Sequence, residues 1–245
     1  MKTRIFLFAF FLFGTLVFGQ VQDEAMIQGK VHGTAIDGPG TQYYCSAGAD
    51  YGQDPDGGYA WTSDIGYYSG FKIFDNFSGV SGNITSIDWW GLTLIYSGGW
   101  QICDENPKSF EISFYHDDAG DIGSLVSTHT LSVVGYFTGY YLGTGNKPIM
   151  KYSATISPPV SGLSEGWVAI QGNPAGSCWF LWLHSLDGDG NMIQRYGTYD
   201  YLRADDVSFC LYCTSYPVPL SKWAIYIGIF LIAAFLVFRF RRRLA

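Results

Sequence analysis

Between Phe71 and Tyr212 the apolar residues recur with a period of two. In Phe110-Glu-Ile-Ser-Phe-Tyr-His-Asp-Asp118, Phe110, Ile112 and Phe114 fall on one face, and Glu111, Ser113 and Tyr115 on the other. That alternation marks a half-buried strand. FKIFDNF, ITSIDWWGLTLIY (Ile84 to Tyr96), SLVSTHTLSVV, MKYSATI, WVAIQ, MIQRYG and VSFCLY extend the series. In VSFCLY the inward residues are Val207, Phe209 and Leu211. CWFLWLHS, Cys178 to Ser185, is apolar on both faces, which predicts a central strand. Turn signals separate the segments: SGN, DENP, DDAGDIG, GTGNKP, SPPVSG, GNPAG and DGDGN. No stretch of ten or more residues carries a helical period. Connections this short leave no room for crossover helices, so the strands pair antiparallel. The pattern predicts an all-β chain: an antiparallel β-sandwich, jelly-roll-like, over residues 71–213. Residues 20–70 carry DGPG, QDPDGG and SDIG among scattered aromatics, and read as an irregular extension with edge strands at most.

The two ends differ from this body. Lys2 and Arg4 precede an apolar run from Ile5 to Phe18, and small residues follow near Gly19, so residues 1–19 read as a cleaved secretory signal. At the other end, Trp223 to Phe238 is uncharged and residues 222–245 read as a transmembrane helix with a basic tail. Sixteen residues at 1.5 Å reach about 24 Å, against roughly 30 Å of hydrocarbon, so the flanking Lys222, Trp223 and arginines must help it span. Arg239, Arg241, Arg242 and Arg243 hold the C-terminus cytoplasmic by the positive-inside rule and leave the body outside.

Removing the ends sharpens the charge. Seven basic residues remain in the body against all 21 acidic ones, a net charge of −14. Such a body repels phosphate backbones, which excludes nucleic acid as a partner. The five cysteines, Cys45, Cys103, Cys178, Cys210 and Cys213, read as disulfides in an exported chain, with one left over. Two bridges and a free thiol can be arranged in many ways, and spacing does not choose among them. Cys210-Leu-Tyr-Cys213 is a lone CxxC, too few ligands for a structural zinc.

The candidate chemistry is sparse. Gly162-Leu-Ser164-Glu-Gly166 matches GxSxG but lacks the strand-to-helix context of a hydrolase. The four histidines form no metal motif. Asp187, Asp189 and Asn191 resemble the start of a calcium loop, yet Met192 and Thr198 stand where an EF-hand needs Gly and Glu, so calcium competes with a plain hairpin loop. Asp117, Asp118 and Asp121 form a second acidic loop, and Asp205-Asp206 a third pair. No alternating acidic triplet of the β-sandwich glucanase kind occurs, so no catalytic residue is assigned. Trp89 and Trp90 are adjacent in a strand and must point to opposite faces. One joins the core, and the other faces solvent, where it could stack on sugar rings, or a second layer.

Val218-Pro-Leu-Ser-Lys-Trp223, the apolar segment and the terminal arginines together resemble bacterial C-terminal sorting signals of the PEP-CTERM type. The variant whose signature runs Ile-Pro-Thr-Leu-Ser-x-Trp is nearest. Pro219, Leu220, Ser221 and Trp223 match it, the Thr is missing, and the Glu of the PEP signature is absent. The resemblance covers about 28 residues, Val218 to Ala245, with 214–221 as a linker bearing the signature. It implies a membrane exosortase-like protease or transpeptidase as partner, cutting near Pro219 and releasing or attaching the body. ITSIDWWG, FEISFYHDDAG and DDVSFCL also resemble strands of exported domains found ahead of such signals. The expectation is a non-catalytic surface or matrix protein that holds extracellular polysaccharide, with a secreted carboxylate hydrolase as the alternative.

Overall fold

The computed structural model describes residues 30–32, 35–36, 43–66, 70–143, 146–173, 178–214 and 235. The expected signal at 1–19, the signature Val218–Trp223 and the segment 222–245 lie outside these residues, apart from 235. Among the described residues no helix is long and apolar enough to cross a membrane. The chain divides into two compact units, Met1–Thr214 and Ser215–Ala245.

The first unit is all-β. Its strands are β1 (Lys30–His32), β2 (Ala35–Ile36), β3 (Tyr51–Gln53), β4 (Pro55–Thr62), β5 (Phe71–Ser78), β6 (Asn83–Tyr96), β7 (Trp100–Ile102), β8 (Lys108–Asp118), β9 (Asp121–Val133), β10 (Tyr136–Leu142), β11 (Lys147–Val160), β12 (Glu165–Asn173), β13 (Trp179–Ser185), β14 (Met192–Tyr196), β15 (Tyr199–Arg203), β16 (Asp206–Val207) and β17 (Phe209–Thr214). They form two antiparallel sheets, as in a β-sandwich. One runs β15-β14-β5-β12-β8-β9. The larger follows β1-β4-β13-β6-β11-β10-β2, with β3, β7, β16 and β17 joined to its side.

The period-two pattern explains the layers. Phe110, Ile112 and Phe114 of β8 meet Ile87 and Trp89 of β6, Phe180 and Trp182 of β13, and Val207, Phe209 and Leu211 in the core between the sheets. The other face of the large sheet carries a second core with Trp90, Leu92, Leu181, Leu183, Ile149 and Cys210. It is covered because that sheet curls. Its outermost strands, β1 and β2, are separated by two residues in the chain, and β10 approaches β4 directly. Tyr43 closes this layer and stacks on Tyr140 at 4.2 Å.

The curl decides the two tryptophans. Trp89 and Trp90 do point to opposite faces, but both are 0% exposed. Trp89 packs edge-on to Phe110 at 5.1 Å, and Trp90 lies in the second layer under Lys151 Nζ at 5.2 Å. Neither is available to a ligand, which corrects the sugar-stacking expectation at these residues. The irregular extension is also corrected. β4 pairs with both β1 and β13, inside the large sheet, so the sandwich begins well before Phe71. Gly and Asp disguise its alternation, but Ala60, Trp61 and Thr62 are buried.

Two disulfides lock this arrangement: Cys45–Cys210 and Cys103–Cys178. They suggest an oxidising, exported environment. Cys213 is free. The CxxC is thus divided, its first cysteine bridged in the second core and its last packed against the first. Burial, then the charge of Asp50, pushes the Cys213 thiol up to about 11, which makes it a poor nucleophile.

Candidate functional site

The antiparallel register brings the ends of β5 and β8 beside the start of β12. Ser78 pairs with Glu165, and the Trp167–Tyr115 pair carries Asp117 to the same level. The loop after β13 completes a cavity of about 320 Å³ lined by Tyr51, Asn76, Ser78, Asp117, Glu165 and Asp189, with Phe77 and Gly188. Among the described residues three carboxylates open into it, and no Lys or Arg does.

The side chains are held by the fold. Trp167 Nε1 donates to Asp117 Oδ1 at 3.1 Å, and Asn76 Nδ2 donates to Asp189 Oδ2 at 2.9 Å. Gly188 permits a close approach: a Cβ there would sit 2.3 Å from the Asp206 carboxyl carbon. Asp206 in turn accepts the Gly190 N–H at 2.9 Å, so it fastens the loop from beneath. Deeper still, Asp75 is fully buried and accepts the Val207 N–H at 2.7 Å and the Asn76 N–H at 2.8 Å. With its amide turned to satisfy both ends, Gln53 donates to Asp75 Oδ2 at 3.0 Å and accepts from the Tyr51 hydroxyl at 2.6 Å.

Burial is the main reason that the Asp75 carboxyl sits well above the usual carboxylate range, and Asp206 and Asp189 add to it. Burial raises Asp206 as well, with Asp189 again contributing. The carboxyls that burial raises (Asp75 and Asp206 here, and Asp64 elsewhere) are all behind or away from the cavity wall.

The loop 186–191 does not form the expected hairpin. β13 and β14 belong to different sheets, so the loop crosses between them. Its three candidate calcium ligands engage separate partners. Asp187 Oδ2 accepts the Asp54 N–H at 3.2 Å, Asp189 accepts from Asn76, and Asn191 donates its N–H to Asp206. Among the described residues no three His, Cys, Asp or Glu side chains converge as a metal would require. The Asp117 loop is a tight hairpin in which Ala119 and Gly120 both take positive φ, 57° and 92°.

GxSxG lies between β11 and β12, with a strand after it and not a helix. His116 is exposed, and His129 is buried beside Ser127. Among the described residues, His184 is the histidine whose ring the fold places against acidic side chains, which the sequence reading missed. Its Nδ1 lies 2.8 Å from Asp56 Oδ1, its Nε2 3.5 Å from Asp205 Oδ1, and its ring lies over Tyr59 at 4.0 Å. Tyr59 donates its hydroxyl to Asp205. Burial is the largest influence on Asp56 and opposes its charge, but the His184 and Gly58 hydrogen bonds and the His184 charge together hold that carboxyl below its ordinary value. Nearby Ser185 donates to the Asp54 carbonyl at 2.6 Å, so no nucleophile faces the imidazole.

Compared with known proteins, the chain matches no family model, no curated protein and no solved structure.

Proposed function

We propose that this is an exported, non-catalytic β-sandwich protein, jelly-roll-like, that holds an extracellular glycan in the cavity between Asn76, Asp117, Glu165 and Asp189. The observation that supports the reading is the cavity itself. Its amide, hydroxyl and carboxylate groups are pinned by Trp167, Asp206 and the strand register. Fixed acceptors in a shallow polar hollow suit a polyhydroxylated ligand, whose hydroxyls donate to carboxylates. A wall with three carboxylates and no cation rejects uronic acids and phosphates.

Delivery rests on the C-terminal signature. The segment 222–245 holds the body at the outer membrane face, and an exosortase-like enzyme cuts near Pro219. Mass spectrometry of the mature C-terminus tests this: an intact Ala245 on surface protein would mean a permanent anchor.

The binding test is a glycan array probed with the purified chain and with Asp189→Ala and Asn76→Ala. Binding to neutral glycans that falls at least tenfold in both variants supports the cavity. No hits, or unchanged binding in the variants, overturns it. The three carboxylates in one cavity keep a hydrolase as the second reading, and release of new reducing ends from a bound glycan would establish it.

A further inference from the structure

Lys108 opens β8 and is completely buried. A lysine ammonium in that position must be answered, and three acceptors surround it. Nζ lies 3.1 Å from Asp64 Oδ2, 3.0 Å from Glu105 Oε2 and 3.1 Å from the Cys178 carbonyl. Asp64, between β4 and β5, has no side-chain exposure either. Each of its oxygens accepts a backbone N–H, Oδ2 from Phe180 at 2.8 Å and Oδ1 from Gly66 at 2.8 Å. Gly172 leaves the room for this pair. A Cβ there would stand 2.3 Å from Asp64 Oδ2 and 2.7 Å from Lys108 Cε. Phe180 adjoins the pair, and its ring packs on Phe110 and Tyr152.

We propose that Lys108 and Asp64 condense into an intramolecular isopeptide bond, with Glu105 carrying the proton. Three features of the geometry converge on it. The nucleophile and the carboxyl are in contact, a second carboxylate touches the same nitrogen, and backbone N–H groups already face both oxygens of the acceptor. The dry surroundings penalise the separate ammonium and carboxylate, and the amide product has no charge. Burial raises the Asp64 carboxyl, which favours the protonated acid that a nucleophile can attack.

The step balances without any outside reagent. Glu105 carries one proton from the Lys108 ammonium to the Asp64 carboxylate, which frees the nitrogen lone pair and leaves Asp64 as the neutral acid. A C–N bond forms to the Asp64 carboxyl carbon. The oxygen that becomes negative in the tetrahedral intermediate is held by its backbone N–H, Gly66 or Phe180, as in an oxyanion hole. Glu105 then carries a second proton from the nitrogen to the protonated oxygen of Asp64, which leaves as water when the C–O bond breaks. One N–H remains on the amide, and Glu105 is a carboxylate again. Glu105 is the partly exposed member, at 13%, so it lies on the side where the water can leave. The bond would tie the junction of the two sheets to β8, next to the Cys103–Cys178 bridge.

The test is peptide mapping of the purified full chain after denaturation, reduction and trypsin. The expected result is a branched peptide joining the Asp64 and Lys108 segments, lighter by one water than its two components, with no cleavage after Lys108. In Glu105→Gln the branched species should fall at least tenfold and the two linear peptides replace it. Lys108→Arg should show linear peptides only. Linear Asp64 and Lys108 peptides in full yield from folded wild-type protein would overturn the proposal and leave a buried ion pair. That decision needs only the wild type, so a variant that fails to fold does not obscure it. Full branching in Glu105→Gln would overturn the role given to Glu105.

Discussion

Carboxylates occur in two contrasting settings in this sandwich. Around Lys108, Asp64 is sealed between the sheets and Glu105 keeps only a partial exposure, and each charge has a partner within about hydrogen-bonding distance. Around the cavity, Asp117, Glu165 and Asp189 open to solvent, and neutral donors from Trp167 and Asn76 hold the first and the last. Asp75 is the intermediate case. It is as buried as Asp64 but has no lysine, so it answers its burial with backbone and amide donors and a raised proton affinity. The contrast shows that the same residue type becomes a structural group or an accessible one according to what lies above it.

The largest predicted effect breaks the sealed setting. Lys108→Met leaves Asp64 and Glu105 facing each other without a cation, and should cost about 3–5 kcal/mol in urea unfolding. A loss under 1 kcal/mol (a clear departure from this scale) would mean that the carboxylates reach water. Next is the covalent frame. Cys45→Ser with Cys210→Ser opens a bridge spanning 165 residues and should cost about 2–5 kcal/mol, read by the same method.

Asp75→Asn sharpens the intermediate case through pH. The native state holds this proton above the ordinary 3.8, where the unfolded chain has released it. Native protein then binds more protons than unfolded, so wild-type stability falls as pH rises above 3.8 until the raised value is passed. Asp64 and Asp206 act in the same direction. Asp56 acts in the opposite one: its stabilisation is present above 3.8 and is lost as pH falls through its lowered value. Unfolding midpoints of Asp75→Asn across pH should show a flatter decline than wild type, and parallel curves would count against the buried proton.

The smallest effect belongs to the open setting. Arg195 and Asp200 pair at 2.6 Å on β14 and β15, both exposed by more than a third. Asp200→Asn should change stability by less than about 1 kcal/mol, since water screens the pair.

Much of the strand plan was legible in the chain. β8, β13 and β17 follow from their apolar spacing, and the buried residues are the ones that the alternation selects. β4 escaped notice because Asp56, Gly57 and Gly58 interrupt its pattern. The burial of Trp90 could not be judged from alternation, since a period of two separates faces but does not say what covers each. The sites were less legible. Asp117 and Asp189 were visible as acidic loops, whereas Asn76 stood out only in an Asn-x-Ser pattern and Glu165 only within the GxSxG, neither of which points to a shared cavity. Nothing local marks Lys108 as buried or links it to Asp64, 44 positions earlier.

Composition and alternation determine by themselves that this body is all-β, acidic and aromatic-rich, because strand period and charge are properties of local sequence. Tertiary structure alone decides the rest: which cysteines bridge, which tryptophan is covered, and which carboxylates meet. Those outcomes depend on the curl of one sheet and the register between strands, where residues far apart in the chain become neighbours. The sealed trio of Lys108, Asp64 and Glu105 exists only because β8, the turn after β4 and the start of β13 come together over Gly172.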